Sequence, residues 1–266
     1  MQFNRRSKSI VRVDVVNYMK RLRPWGSSTR PNIHRTSSLP LEESMNNEEL
    51  ARWFEQNKQV LETAYLAGTL PRQQSGFGLH TPRSELDWEA LRRPIAACIV
   101  SAGTFLDVGC ANGYLLECIL RWTQERGFQM TAYGLDFSEK IIALAQARLP
   151  QYASHLFVGN AWDWEPPMTF DYVNTTLDYV PHELHGAFVN RLLERYLHPG
   201  GHLLVAEYLG KSANPLRLEI PVDQYLGQLG FGVASVRSAS IDEFAMTRVA
   251  VIKNRQGNKT PRETSF

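Results

Sequence analysis

From residue 104 onward, short apolar runs alternate with stretches in which apolar residues recur every three or four positions. The runs at 104–108, 131–136, 154–158, 170–175 and 202–209 are short and lie among turn-forming residues, the pattern of strands covered on both faces. Helical spacing predicts helices over 114–126, 138–148, 183–197 and 222–229. In the first of them Leu115, Leu116, Ile119, Leu120 and Trp122 form one apolar side. Alternation at this spacing implies βαβ units, a parallel sheet and right-handed crossovers. Two final strand-like runs, 231–238 and 244–253, have no helix between them and predict an antiparallel hairpin at the sheet edge. The fold class is α/β, doubly wound.

The N-terminal part is patterned differently. In residues 46–67, Leu50, Trp53, Phe54, Val60, Leu61 and Tyr65 recur at helical spacing, with Asn46 or Asn47 as the cap and Gly68 as the stop. Residues 69–84 are rich in Pro, Gly and Ser and predict a mobile loop. A second helix, 88–100, contains Pro94, which should break or kink it. The expected organisation is a basic, flexible arm (1–43), a helical cap or lid (44–103), the α/β core (104–253) and a polar tail (254–266).

Charge sharpens this division. The chain of 266 residues has a net charge of +2, but residues 1–40 hold nine Lys/Arg against Asp14 alone, which leaves the remainder at −6. The arm therefore reads as a poorly ordered segment, an organellar transit peptide or a nucleic-acid-binding arm. Cys98, Cys110 and Cys118 are odd in number and form no C-x-x-C pair, which excludes a disulfide framework or zinc site and fits a reducing, cytoplasmic setting. No His/Glu/Asp set has metal-ligand spacing, so no metal is expected. No apolar run reaches the length of a membrane span, so no membrane partner is expected either.

The chemistry gathers at Phe105-Leu106-Asp107-Val108-Gly109-Cys110-Ala111-Asn112-Gly113-Tyr114, a buried strand that ends in a tight glycine turn and opens a helix. Glycines let the backbone bend sharply and a ligand approach closely, and the helix start offers free N–H groups. A dinucleotide fingerprint, G-x-G-x-x-G, would put glycine at Ala111 and Tyr114; Tyr cannot replace the third glycine, which argues against an NAD-linked oxidoreductase. The spacing D-x-G-x-x-x-G fits instead, with Ala111 small enough to stand for the middle glycine. Four further motifs follow in order: Tyr133-Gly134-Leu135-Asp136-Phe137-Ser138; Phe157-Val158-Gly159-Asn160-Ala161-Trp162; Phe170-Asp171-Tyr172-Val173-Asn174-Thr175; and Leu197-His198-Pro199-Gly200-Gly201.

Together these motifs resemble the class I S-adenosylmethionine-dependent methyltransferases over residues 104–253. The resemblance implies a Rossmann-like sheet of seven strands, mostly parallel with an antiparallel C-terminal hairpin, under an N-terminal helical cap. It implies S-adenosyl-L-methionine as cofactor, with Asp107, Gly109, Cys110, Ala111 and Gly113 at its methionine end. Asp136 would accept both ribose hydroxyls, and Phe137, Asn160, Ala161 and Trp162 would surround the adenine, Asn160 standing where the family carries an acid. Asn174 and Thr175 would border the methyl group. His182 and His185 follow at the site's mouth as candidate general bases. The N/D-P-P-Y type motif of amino-methylating members is replaced by Asn174-Thr175-Thr176-Leu177, and no cysteine lies where the RNA 5-methylcytosine members need a nucleophile. With an acidic core and no appended RNA-binding module, a small organic acceptor is the expected partner. RNA or protein reached through the basic arm, and a non-catalytic cofactor-binding subunit, are the alternatives. Trp53, Phe54, Tyr65, Trp88, Trp162, Trp164 and Tyr179 are candidate linings of an acceptor pocket.

Overall fold

The computed structural model describes residues 45–76, 83–210 and 218–255. The expected arm lies outside the described residues, as does all but the start of the polar tail. Seven strands form one sheet: β1 (Gly103–Val108), β2 (Met130–Asp136), β3 (Leu156–Val158), β4 (Phe170–Thr175), β5 (Leu197–Leu209), β6 (Val233–Ser240) and β7 (Met246–Lys253). Their spatial order is β3-β2-β1-β4-β5-β7-β6. Strands β1 to β5 pair in parallel, while β7 runs antiparallel between β5 and β6, so the predicted terminal hairpin is present.

Both faces of the sheet are covered. Successive residues alternate between two apolar clusters: Phe105, Ala132, Tyr172 and Leu204 face one, and Leu106, Leu135, Val173 and Leu203 the other. The first cluster is covered by α2 (Glu85–Ala97), α3 (Tyr114–Gln124) and α4 (Glu139–Arg148), with Trp88, Ile95, Leu116, Ile119 and Trp122 as its bulk. The second is covered by α5 (His185–Arg191) and α6 (Val222–Gln228), through Phe188, Val189 and Leu226. The period of two with both sets apolar is why each strand read as a continuous hydrophobic run.

The cap begins with α1 (Asn47–Leu66), opened by a reciprocal capping box in which Asn46 accepts from Glu48 and Glu49 N–H and Glu49 accepts from Asn46 N–H. Gly68 does not terminate this helix in a left-handed conformation. The helix ends one residue earlier, at Ala67, and Gly68 instead lets Gln73 and Gln74 pack closely. Part of the predicted mobile loop is ordered: Pro71–Gln74 forms a 3-10 turn whose Gln73 side chain accepts from Thr69 and Leu70 N–H. Helix α2 starts three residues before the predicted position because Ser84 and Asp87 cap it, and it runs through Pro94 to Ala97 without a break. The proline falls in the last turn, where few residues of helix remain to be disrupted.

The passage into β5 also differs from a simple helix-turn-strand. The helical stretch ends in a π turn over Leu192–Tyr196, and the strand is already paired at Leu197 with Phe170. The Pro199-Gly200-Gly201 segment is a bulge within the strand rather than a turn before it. Asn254 holds this irregularity: its Nδ2 donates to the carbonyls of Leu193, Leu197 and His198, and its backbone exchanges bonds with Gly200 and Gly201.

Candidate functional site

The carboxyl ends of β1 and β2 converge where the strand order reverses, which places their terminal acids in one crevice. Strand β1 ends in Asp107 and Val108, and the following turn is pinned to β2: the N–H groups of Gly109 and Cys110 both donate to Leu135 O, at 2.7 and 3.0 Å. Gly109 and Gly113 have φ of +79° and +74°. Tyr179 lies directly over Gly109, so a Cβ there would overlap its phenol.

Ala111 has φ +47°, the one positive-φ non-glycine residue among those described. The middle position of the loop therefore asks for glycine because of its backbone conformation as well as its size. Ala tolerates it at a cost of about 1–2 kcal/mol. The loop holds this conformation through Ala111 N–H, which donates to Asp136 Oδ2 at 3.1 Å.

Asp136, at the tip of β2, is 6% exposed. Its Oδ1 accepts from Ser138 N–H at 3.1 Å, while the cap of α4 itself is Ser138, whose Oγ accepts from Ile141 N–H. Asp136 thus binds the approach to the helix and the glycine loop together. Burial raises its pKa to about 6 against the opposing hydrogen bonds. Asp107 is 2% exposed, and burial raises it to about 7 although Asn174 Nδ2 donates to it at 2.8 Å. The Oδ1 of Asn174 is buried without a hydrogen-bond partner among the described residues. An orphaned acceptor beside a carboxylate at the strand ends has the chemistry to receive an amino group.

These groups border a cavity of about 620 Å³, a volume that includes its opening to solvent. Its floor comes from Val108, Gly109, Leu135, Asp136, Phe137, Gly159, Asn160 and Ala161, and its roof from Trp53, Phe54, Asn57, Leu61 and Tyr65 of α1. Positions 53, 57, 61 and 65 are four apart, which puts them on one helix face. Asn57, 7% exposed, donates from Nδ2 to Trp53 O. The cap is fastened on both sides of the crevice. Glu62 accepts from Ser138 Oγ and pairs with Lys140, and Asn112 Nδ2 donates to Pro71 O and Gln74 Oε1.

Of the residues singled out in the sequence, Gly109, Asp136, Phe137, Asn160 and Ala161 line the cavity. Asp107, Cys110, Ala111, Gly113, Asn174 and Thr175 belong to the loop and strand ends beside it without lining it. Trp162 packs against the second core cluster, and its backbone N–H donates to Asn160 Oδ1 at 3.0 Å. Among the aromatic candidates, Trp53, Phe54, Tyr65 and Tyr179 line the cavity, while Trp88 and Trp164 pack in the two cores. His182 and His185 do not line it. The Tyr225 hydroxyl lies between them, 3.0 Å from His185 Nδ1 and 3.2 Å from His182 Nε2. Burial, then the neighbouring His182, lowers His185 to about 4. Sequence reading missed Asn57, Leu61, Ile141 and Asp178 as lining residues; the four-residue spacing on α1 was the available signal for the first two.

The lining combines the Asp136 carboxylate, the Asn160 amide and the apolar surfaces of Phe137 and Ile141. A dinucleotide reading meets Tyr114, whose ring packs 4.5 Å from Trp88 in the core at the position that must be glycine.

A family model described as a methyltransferase domain matches residues 105–201. Among solved structures, the (4+2) cyclase SpnF is 16% identical, with 74% of this chain and 93% of that one covered and a TM-score of 0.52. Magnesium protoporphyrin IX methyltransferase (ChlM) from Synechocystis PCC 6803, with bound S-adenosylmethionine, is 16% identical over 80% of this chain and 100% of that one, TM-score 0.49. An S-adenosylmethionine-dependent methyltransferase from Thiobacillus denitrificans, in complex with S-adenosyl-L-homocysteine, is 16% identical over 71% and 100%, TM-score 0.47. No curated protein matches the chain. The family match runs from β1 into β5, through the same strand ends and loops that build the cavity. Residues 105–201 match a methyltransferase domain, carried on a Rossmann-like sheet of seven strands.

Proposed function

We propose that the protein transfers a methyl group from S-adenosylmethionine to a small organic acceptor by in-line displacement. The observation that carries this reading is the roof: Trp53, Phe54, Leu61 and Tyr65 close the cavity with apolar side chains contributed by the cap. A pocket roofed this way suits a ligand that can be enclosed, and largely apolar linings with a few placed polar groups are typical of small-molecule sites. An acidic core supports the same choice over a polyanionic acceptor.

The residues divide the work as follows. The turn from Gly109 to Gly113 cradles the methionine end, with Asn174 beside Asp107 taking its amino group. Asp136 takes the ribose hydroxyls, and Asn160, Ala161 and Phe137 take the adenine. The bound cofactor supplies a methyl group already activated on a sulfonium sulfur. The chain's own contribution is alignment and exclusion of water: α1 above and Tyr179 at the side fix the approach of the acceptor, and positioning of this kind supplies several kcal/mol of barrier reduction. A side chain acting as base is needed only where the acceptor must lose a proton.

The test is methyl transfer from cofactor labelled on its methyl group, with small-molecule and RNA fractions as separate acceptors. Label entering small molecules, unchanged when residues 1–40 are deleted, supports the reading. Label entering RNA and lost with the arm would replace it with the alternative. Because SpnF, a (4+2) cyclase, has a similar fold, the readout must be the transferred methyl itself rather than cofactor binding.

A further inference from the structure

His182 and His185, the candidate bases that do not line the cavity, stand in a polar cluster of their own. Three elements meet there: the short turn after β4, Leu177–Tyr179; the segment into α5, which carries both histidines; and α6, which carries Tyr225. The Tyr225 hydroxyl is the junction, in hydrogen-bond reach of both imidazoles. The three ring centroids lie 5.0, 5.4 and 5.6 Å apart and no two rings stack, so the polar atoms set the contact. Tyr225 packs in one apolar cluster with Leu177, Val180, Phe188 and Leu226, and His185 is buried beside it. An imidazole and a phenol in such surroundings cost free energy unless their polar atoms are paired. Apolar side chains would fill the space at lower cost, so what the pair adds is a single fixed arrangement.

Proton counting gives that arrangement a direction. A neutral imidazole has one N–H and one acceptor nitrogen. Burial, then the neighbouring His182, keeps the His185 ring neutral, while the backbone carbonyls of Val180 and Leu177 accept from it. With the N–H spent on those carbonyls, Nδ1 is the acceptor and the Tyr225 hydroxyl donates to it. The phenol oxygen then accepts from Nε2–H of His182. Burial, then Glu183, raises Tyr225, so the phenol keeps its proton.

The two sides of this bridge are held differently. Helix α6 is anchored to the sheet: Val222 N–H donates to Glu207 Oε2 at 3.2 Å, and Asp223 accepts from Arg248 at 2.8 Å. Within the turn after β4, the closing bond from Val180 N–H to Leu177 O is long, 3.4 Å. That turn presents Asp178 and Tyr179 to the cavity, with Tyr179 over Gly109.

We propose that a directed hydrogen-bond bridge, from His182 Nε2–H to the Tyr225 hydroxyl and from that hydroxyl to His185 Nδ1, positions the turn Leu177–Tyr179 and with it the cavity wall that Asp178 and Tyr179 form. His185 and Tyr225 are then positioning residues rather than catalytic ones. The inference goes beyond the methyltransferase reading and draws on it only for what the wall receives.

The experiment uses the full chain as wild type, Tyr225→Phe, His185→Leu and His185→Asn, whose amide keeps a polar atom near the place of Nδ1. Nitrogen NMR of the histidine rings at pH 7 should show wild-type His185 neutral with its proton on Nε2. Hydrogen exchange read by mass spectrometry should show the peptide 175–185 exchanging about tenfold faster in Tyr225→Phe with β1 and β2 unchanged, since a lost local bond opens one unit and not the whole. Calorimetry should show S-adenosylhomocysteine bound about 2- to 10-fold more weakly, the cost of re-ordering the Tyr179 side chain. His185→Leu should reproduce both effects, and His185→Asn should recover part of them. A His185 protonated on Nδ1, a peptide whose exchange is unchanged or rises no more than the rest of the protein, or an unchanged affinity overturns the proposal. Should Tyr225→Phe fail to fold, the two His185 variants decide by the same readouts. A wild type that does not bind S-adenosylhomocysteine refutes the cofactor reading instead, and NMR and exchange then decide this inference alone.

Discussion

Replacing Gly109 with Ala tests the glycine turn at the point where two independent physical demands meet. The first is conformational: φ at this residue is +79°, where an L side chain costs about 1–2 kcal/mol. The second is steric: an added Cβ would overlap the hydroxyl and ring of Tyr179. Overpacking of that kind costs about 1–3 kcal/mol. Against these stands about 0.4–1 kcal/mol from the smaller entropy of the unfolded chain. The net expectation is a loss of about 2–4 kcal/mol in urea or guanidinium unfolding, with the midpoint lowered and the slope unchanged. The two costs separate in a Tyr179→Ala background, where the steric cost is gone and Gly109→Ala should lose about 0–1.5 kcal/mol, the backbone cost less the same entropy term. A Gly109→Ala protein as stable as wild type, or two substitutions whose effects simply add, would refute this account of the turn.

The remaining predictions concern the neighbouring charges and the loop. Ala111→Gly removes left-handed strain of about 1–2 kcal/mol but adds unfolded-state entropy of about 0.4–1, so the stability curve should shift upward or stay level and never fall by 1 kcal/mol. Asp136 and Asp107 have folded pKa values raised by burial, to about 6 and about 7, so the folded state binds more protons than the unfolded one between pH 4 and those values. Their contribution to stability is present at low pH and lost as pH rises through that window; Asp107→Asn should therefore gain on wild type in unfolding experiments as pH goes from 5 to 8. In the proposed binding mode Asp136 accepts the ribose hydroxyls as a carboxylate, so affinity for S-adenosylhomocysteine should move oppositely, rising between pH 5 and 7. At the other end of the sheet His198 is raised by its hydrogen bond to Asp171, so it stabilises the fold below the ordinary histidine value, and that contribution fades above its raised one. Half-exposed as the pair is, His198→Ala should cost no more than about 1 kcal/mol at pH 6 and nothing measurable at pH 9.

The sheet was legible because its strands alternate between two apolar clusters while its helices do not. The elements that differed are those governed by a single distant partner. Pro199-Gly200-Gly201 lies inside β5 because Asn254, more than fifty residues away, satisfies the carbonyls that a bulge there exposes. The start of α2 follows from a cap by Ser84 and Asp87, a local signal that the apolar pattern does not contain. In the site, Gly109, Asp136, Phe137, Asn160 and Ala161 could be named because the motifs that carry the family resemblance fall at or just after strand ends, where the fold dictates direction. Ala111 was read by size alone; its backbone conformation is visible only in three dimensions.

The most direct test of the central claim is calorimetric titration of S-adenosylhomocysteine into the full chain and into Asp136→Ala. Two hydroxyl bonds to one carboxylate predict saturable binding to wild type, weakened at least tenfold by the substitution. No binding to wild type, or the same affinity in both proteins, would contradict the assignment of this crevice to S-adenosylmethionine.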